Sequence, residues 1–266
     1  MITYSRLGGH GEFGNQLFQI AATVGHSVKA NDQCLFPKWE GLISKDLYSR
    51  YFKNPIPQGE FWRHHYTQYS EPDFGYNEIP VTPGVNQDLF GYFQSEKYFK
   101  HCEELIRHHF EPNNLLKNIN VLNYKNSVAI QLRFYDNNRS YDTSGLKLDP
   151  EVNNLYYNPE ENANYFKTAI KYFGKNYNYY IVTNNPTKAK WMFGDYDNFY
   201  VLDGFNYMEQ FFIQTKCEHN IISNSSFGWW GAWLNKNPEK VVYAPKNWFK
   251  QQMDTKDLYP DSWKIE

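Results

Sequence analysis

Short apolar runs alternate along the chain with stretches in which apolar residues return every three or four positions, the habit of an α/β protein. Residues 2–7 read as a strand. After a glycine-rich turn, Leu17, Ile20, Ala21 and Val24 recur on one face of a predicted helix over 16–29. From 36 to 85 the pattern weakens, because Pro37, Pro55, Pro57, Pro72, Pro80 and Pro83 punctuate it as loops. Residues 95–109 predict a helix with Ser95 at its N-cap. The polar, Asn-rich stretch 118–126 then precedes the apolar run 127–132, which reads as a buried strand. A domain boundary is expected near residue 124, dividing the chain into 1–124 and 125–266. Beyond it the pattern predicts a polar loop (135–158), helices at 159–173, 186–193 and 208–217, strands at 179–183, 199–202 and 220–223, and a tryptophan-rich helix at 227–235. This second half reads as a nucleotide-binding α/β layer.

Composition narrows the function. The chain has 266 residues, with 27 Lys and Arg against 29 Asp and Glu, a formal charge of −2. That balance argues against a nucleic-acid clamp. Aromatic residues make up 19% of the chain, which fits either codon bias or a surface that stacks on sugars. No run approaches the roughly 18 apolar residues of a membrane span, and the opening MITYSRLGG lacks the features of a leader. A soluble, cytoplasmic protein is expected. Cys34, Cys102 and Cys217 are few and far apart, as free thiols in a reducing compartment would be.

Three motifs carry candidate chemistry. Gly9, Gly11 and Gly14 form a literal G-x-G-x-x-G between a predicted strand and helix, a loop that can turn backbone N–H groups toward a phosphate or can simply be a tight turn. A dinucleotide site would also need an acid after the second strand, whereas Asp32 precedes Cys34-Leu35-Phe36. Arg133 follows the buried run at the position where open α/β sheets bind ligands, and its planar fork suits phosphate oxygens; the competing reading pairs it with Asp136 on the surface. Asn224-Ser225-Ser226-Phe227-Gly228 opens the last helix, where hydroxyls cap the helix and its N–H groups can hold an anion. Asp195-Tyr196-Asp197 has the D-x-D form of a metal-dependent sugar transferase, but it precedes a strand and reads as a solvated turn. His101, Cys102, His108 and His109 have no metal-binding spacing. Glu103-Glu104 and Glu160-Glu161 are expected in first helical turns.

Together these segments resemble glycosyltransferase family 11, the α-1,2-fucosyltransferases. GEFGNQLFQIA (11–21) is similar to that family's GNQxFQxA loop and helix, and GYFQSEKYF (91–99) to its GYxQSxKYF segment. HNIISNSSFGWWGAWLN (219–235), APKNWF (244–249) and LYPDSW (258–263) resemble its remaining signatures. The resemblance implies a GT-B type architecture, with two Rossmann-like domains facing each other across a donor cleft. The first domain would be the acceptor side, and the second would bind the nucleotide sugar. It also implies an inverting, metal-independent transfer of L-fucose from GDP-fucose to a glycan hydroxyl, with no cofactor beyond that donor. Carried onto this sequence, Arg133 and Asp136 become the catalytic candidates. Gly14, Asn15, Gln131, Arg133, Asn224, Ser225, Ser226 and Phe227 become the donor-binding ones, with Trp229, Trp230 and Trp233 packing behind them. His10, Glu12 and Asp136 are candidates for a base only by their place in the loops.

The departures from the family pattern bear on the donor. Where the family reads H-x-R-R-x-D, this chain has Gln131, Arg133, Phe134 and Asp136; where it reads S-D-D, Thr183-Asn184-Asn185 stand. One cation and two anions are gone. A non-catalytic descendant that binds glycans or a partner through its aromatic surface is therefore the second reading, and an NAD-dependent oxidoreductase resting on the three glycines is the third.

Overall fold

The computed structural model describes residues 1–40, 47–60, 65–114, 116–135, 154–194 and 196–266. The chain packs as two compact units. The first is Met1–Leu115 with Met253–Pro260, and the second is Leu116–Gln252 with Asp261–Glu266.

In unit 1 the described strands β1 (Ile2–Thr3), β2 (Thr67–Ser70) and β3 (Gln87–Phe90) form a parallel sheet in the order β1-β3-β2. Cys34 bridges Ile2 in parallel on the other side of β1. The strand predicted over 2–7 is cut short at Thr3. Beyond it the chain folds into turns, with the Leu7 N–H on the Tyr4 carbonyl (3.2 Å) and the Gly9 N–H on the Arg6 carbonyl (2.9 Å). Helix α1 (Phe13–Lys29) is enclosed on nearly every side, so its polar side chains must find partners within the protein. Gln16 accepts from the Trp39 indole N–H at 2.8 Å, and His26 meets Gln87 at 2.8 Å.

The helix expected over 95–109 is interrupted. Ser95 caps a 3-10 turn by accepting from the Lys97 N–H, a second 3-10 turn follows, and only α2 (Glu103–His109) is α-helical. Phe99, between the two turns, has φ −138° and ψ 3°, outside the helical region, with its side chain fully buried. Burial of Tyr98 and Phe99 overrides the helical spacing here.

Unit 2 contains β4 (Ser127–Leu132), α3 (Ala163–Phe173), β5 (Asn178–Thr183), α4 (Pro186–Phe193), β6 (Phe199–Val201), α5 (Tyr207–Lys216), β7 (His219–Ile221), α6 (Ser226–Leu234), β8 (Val242–Ala244) and β9 (Lys264–Ile265). All six strands run parallel in the order β6-β5-β4-β7-β8-β9. Every residue of β4 is buried, as a central parallel strand covered on both faces requires. Val128, Ile130 and Leu132 pack with Phe166, Ala169, Ile181 and Ile221. Helix α3 begins four residues later than predicted, which leaves Glu160 and Glu161 ahead of it rather than in its first turn. They pair with Lys188 and Lys250 at 2.9 and 2.8 Å. Helix α5 is closed by a capping box between Asn206 and Glu209. Among the described residues no helix is long and apolar enough to cross a membrane.

Candidate functional site

Counted from β4, the strand order of unit 2 is 3-2-1-4-5-6, the doubly wound Rossmann arrangement. The order in which strands are added reverses between β4 and β7, so the connections from these two parallel neighbours lead away to opposite sides, a topological switch point. Open α/β sheets bind ligands at such a point. The segments leaving it are 133–135 and 222–228, which hold most of the residues singled out above.

Ser223 stitches the two segments together. Its hydroxyl donates to Gln131 Oε1 at 2.6 Å and accepts the Arg133 N–H at 3.1 Å, while its own N–H meets the Gln131 carbonyl at 3.1 Å. Gln131 is buried and its side chain lies against Gly228, where an added Cβ would come within 2.7 Å of Oε1. Gln131 thus sets the spacing between β4 and the start of α6. The Arg133 guanidinium lies 5.6 Å from the Tyr135 ring centroid. Tyr135 in turn donates its hydroxyl to the Asn224 carbonyl (2.9 Å), and its N–H meets Asn158. Tyr156 stacks on its ring at 4.7 Å.

The departures from the family pattern have local explanations. Asn184 closes a reciprocal pair with the backbone of Phe134, accepting its N–H and donating to its carbonyl, both at 2.9 Å. The amide does both, whereas an ionised aspartate could only accept. Asn185 accepts the Lys188 N–H and caps α4. Phe134 is buried in the core.

At the start of α6, Ser225 occupies the N-cap but its side chain makes no capping bond, contrary to the usual role of a serine there. The first-turn N–H groups of a helix have no carbonyl of their own. Next to them Asn224 is buried; its amide N–H holds the Trp248 carbonyl at 2.9 Å, and Oδ1 has no partner among the described residues. At the opposite end, Lys240 Nζ donates to the carbonyls of Ala232, Trp233 and Asn235 at 2.7–3.1 Å. A cation serving the negative end and an uncapped positive end suit an anionic ligand. Trp229, Trp230 and Trp233 are buried on this helix and pack on one another, and Trp229 also meets Trp263.

Gln131, Arg133, Asn224, Ser225, Ser226 and Phe227 therefore gather on unit 2. Gly14 and Asn15 lie on unit 1, in the first turn of α1, where Asn15 Oδ1 accepts from Gln94 at 2.8 Å. Asp136 lies outside the described residues, as do most of the 135–158 loop and Asp195 of the D-x-D match. Asp32 ends up before its strand, at the edge of the sheet away from the ligand end, and binds the N-terminal amine. Asp197 likewise precedes β6. Among the described residues no group of three or more His, Cys, Asp or Glu side chains is gathered to hold a metal ion. The roles of Ser223, Tyr135 and Asn184 escape a reading of the sequence, because they depend on strand pairing that no local spacing reveals.

The model of a family described as "Glycosyl transferase family 11" matches residues 42–266. An α-1,2-colitosyltransferase of Escherichia coli is 25% identical over 188 residues, 66% of this chain and 61% of that protein. A galactoside 2-α-L-fucosyltransferase of Caenorhabditis elegans is 22% identical over 292 residues, 94% of this chain and 76% of that protein. The chain spans about three fifths of the Escherichia coli relatives it matches, 59% and 61%. Among solved structures, the α-1,6-fucosyltransferase NodZ soaked with GDP-fucose superposes with a TM-score of 0.53 at 12% identity, covering 88% of this chain and 91% of that one. That similarity shows the fold: α/β, of the GT-B type.

Proposed function

The chain belongs to glycosyl transferase family 11, and on that premise we propose that it is an inverting, metal-independent glycosyltransferase. It moves L-fucose from GDP-fucose to a glycan hydroxyl in α-1,2 linkage. The observation that carries this reading is the switch point of unit 2, flanked by Arg133 on one side and the uncapped start of α6 on the other. Unit 2 is the nucleotide-sugar side and unit 1, with its glycine loop, the acceptor side. Gly14 and Asn15 line the start of α1 there, and Asp136, three residues after Arg133 in the sequence, is proposed for the donor side.

The reaction is a single displacement. The acceptor oxygen attacks the anomeric carbon as the bond to the diphosphate breaks, so a β-linked donor yields an α-linked product. Charge grows on the leaving diphosphate and on an oxocarbenium-like sugar, and fixed positive groups stabilise the former. Arg133 supplies a cation with two parallel donors, Ser225 and Ser226 supply hydroxyls, and the α6 N–H groups supply aligned dipoles. Gln131 and Phe227 hold these groups in place, Gln131 through Ser223 and Phe227 by packing on Phe211 at 5.1 Å. Free Cys34, Cys102 and Cys217 agree with a cytoplasmic setting.

Isothermal titration with GDP, GDP-fucose, GDP-mannose and UDP-sugars tests the reading. Binding of GDP and GDP-fucose in the micromolar to millimolar range is expected, and absence of binding to every nucleoside diphosphate overturns it. Arg133→Ala is expected to lower transfer on the order of 10²-fold. Donor binding with no transfer or hydrolysis that depends on Arg133 would instead favour the non-catalytic glycan binder.

A further inference from the structure

Unit 1 has a switch point of its own, between β1 and β3, with the Cys34 segment on the far side of β1. The chain leaves these strands into segments 4–12 and 91–95, and His10 stands where the two meet. Its ring packs on Tyr92 and Phe90, with centroids 4.5 and 4.9 Å apart. The Arg6 guanidinium lies 4.1 Å from the Phe90 ring centroid. Gln19 donates to the His10 carbonyl at 2.9 Å.

Hydrogen bonding sets the state of the imidazole. The Tyr4 hydroxyl lies 2.8 Å from the Gly91 carbonyl and 2.6 Å from His10 Nδ1. A carbonyl can only accept, so the single hydroxyl proton goes to Gly91, and the Tyr4 oxygen is left to accept from Nδ1–H. The Gln19 amide nitrogen, which donates to the His10 carbonyl, is 3.5 Å from Nδ1, much farther than the Tyr4 hydroxyl at 2.6 Å, so the Tyr4 contact favours the tautomer in which Nε2 carries a lone pair. Nε2 has no hydrogen-bond partner among the described residues, so the one basic atom of the ring is the one left open. Nearby, Gln19 and Gln94 are buried, and their side-chain carbonyls have no partner among the described residues, two acceptors of the kind a hydroxylated ligand or its waters would satisfy.

We propose that His10 is the general base of the transfer, taking the acceptor hydroxyl proton on Nε2. The O–H bond breaks toward Nε2 as the oxygen's electron pair forms the bond to the anomeric carbon. The electron pair of the breaking glycosyl–phosphate bond leaves with the nucleoside diphosphate, and the imidazolium then returns its proton to water. Tyr4 is the positioning residue that holds the tautomer. The ionisable groups facing the ring are Tyr4 and Arg6 on its own segment and Tyr92 opposite, with Glu71 behind the Tyr92 backbone; α1 contributes the neutral Gln19. Burial, reinforced by the Arg6 cation, holds the imidazole below its ordinary value, so it is neutral and basic at pH 7.

This inference rests on the transferase reading, and its test separates the two. His10→Gln is expected to leave GDP binding unchanged by titration and to lower kcat about 10²- to 10⁴-fold, with little change in acceptor KM. In wild type the acid limb of kcat/KM lies below pH 6.5, and in His10→Gln it is absent. Tyr4→Phe keeps the imidazole but frees the tautomer, so it is expected to lower kcat and move that limb without affecting GDP binding. If His10→Gln retains kcat within about threefold with its acid limb in place, or if Tyr4→Phe leaves both kcat and the limb unmoved, the proposal is overturned. Wild-type protein that binds no nucleoside diphosphate refutes the transferase reading instead.

Discussion

Replacing Glu71 with glutamine is expected to make the protein more stable at alkaline pH and to change little at acid pH. Glu71 follows β2, and its carboxylate accepts the N–H groups of Tyr92 (2.7 Å) and Phe93 (3.0 Å), with the Tyr98 hydroxyl 3.3 Å away. The fit is close: a Cβ on Gly91 would come within 2.4 Å of Glu71 Cβ. Burial penalises the charge more than these donors favour it, and the carboxyl is pushed up from 4.5 to about 7. The folded state therefore holds the proton more tightly than the unfolded chain. Stability from this group is fully present below pH 4.5 and is lost as pH rises through about 7.

A shift of about 2.5 units corresponds to at most about 3 kcal/mol at pH 8, or roughly 6–12 °C in Tm. Glutamine keeps the contacts without the charge. Its carbonyl can sit where Oε2 accepts both N–H groups, and its amide can donate to Tyr98 where Oε1 stands. Thermal denaturation of wild type and Glu71→Gln from pH 5 to pH 8 checks this, since titrating groups that do not interact with Glu71 cancel in the difference. The gap in Tm should widen with pH; parallel curves would refute the reasoning. Glu71→Ala, which strands both N–H groups, should be destabilised at every pH by about 1–3 kcal/mol.

Two further substitutions probe unit 2. Asn184→Asp leaves an acceptor facing the Phe134 carbonyl in place of a donor, and should cost about 1–3 kcal/mol in denaturant melts at pH 8; unchanged stability would mean the reciprocal pair contributes nothing. Gly228→Ala drives a methyl into the Gln131 amide that Ser223 holds, and should destabilise the protein by about 1–3 kcal/mol and weaken GDP binding. Wild-type affinity in that variant would show that the spacing of β4 and α6 does not shape the anion site.

The parallel strands of unit 2 were legible because central strands covered on both faces must be continuously apolar, as 127–132 is. The helix after β7 was legible for a similar reason, its tryptophans marking an element buried all round. Arg133 is a candidate by its place after such a strand. The 95–102 segment was misread as helix because Tyr98 and Phe99 are buried by partners distant in sequence. Glu71 gave no signal at all: a lone acid in a Pro- and Gly-rich stretch reads as a solvated loop, and its partners lie more than 20 residues away.

By itself the sequence determined the α/β class, the core strands of the second half, the motif set that marks the family, and the chemistry on offer in Arg133, the α6 serines and His10. These are local properties, written in periodicity and residue type. Tertiary structure alone decided the strand order that puts β4 beside β7, and hence which loops share a crevice. It also decided that Met253–Pro260 returns to unit 1, that Asn184 serves the Phe134 backbone, and that Tyr4 selects the tautomer of His10. Each of these depends on which backbone groups meet across long separations. Hydrogen bonding and burial set that only once the whole chain has packed.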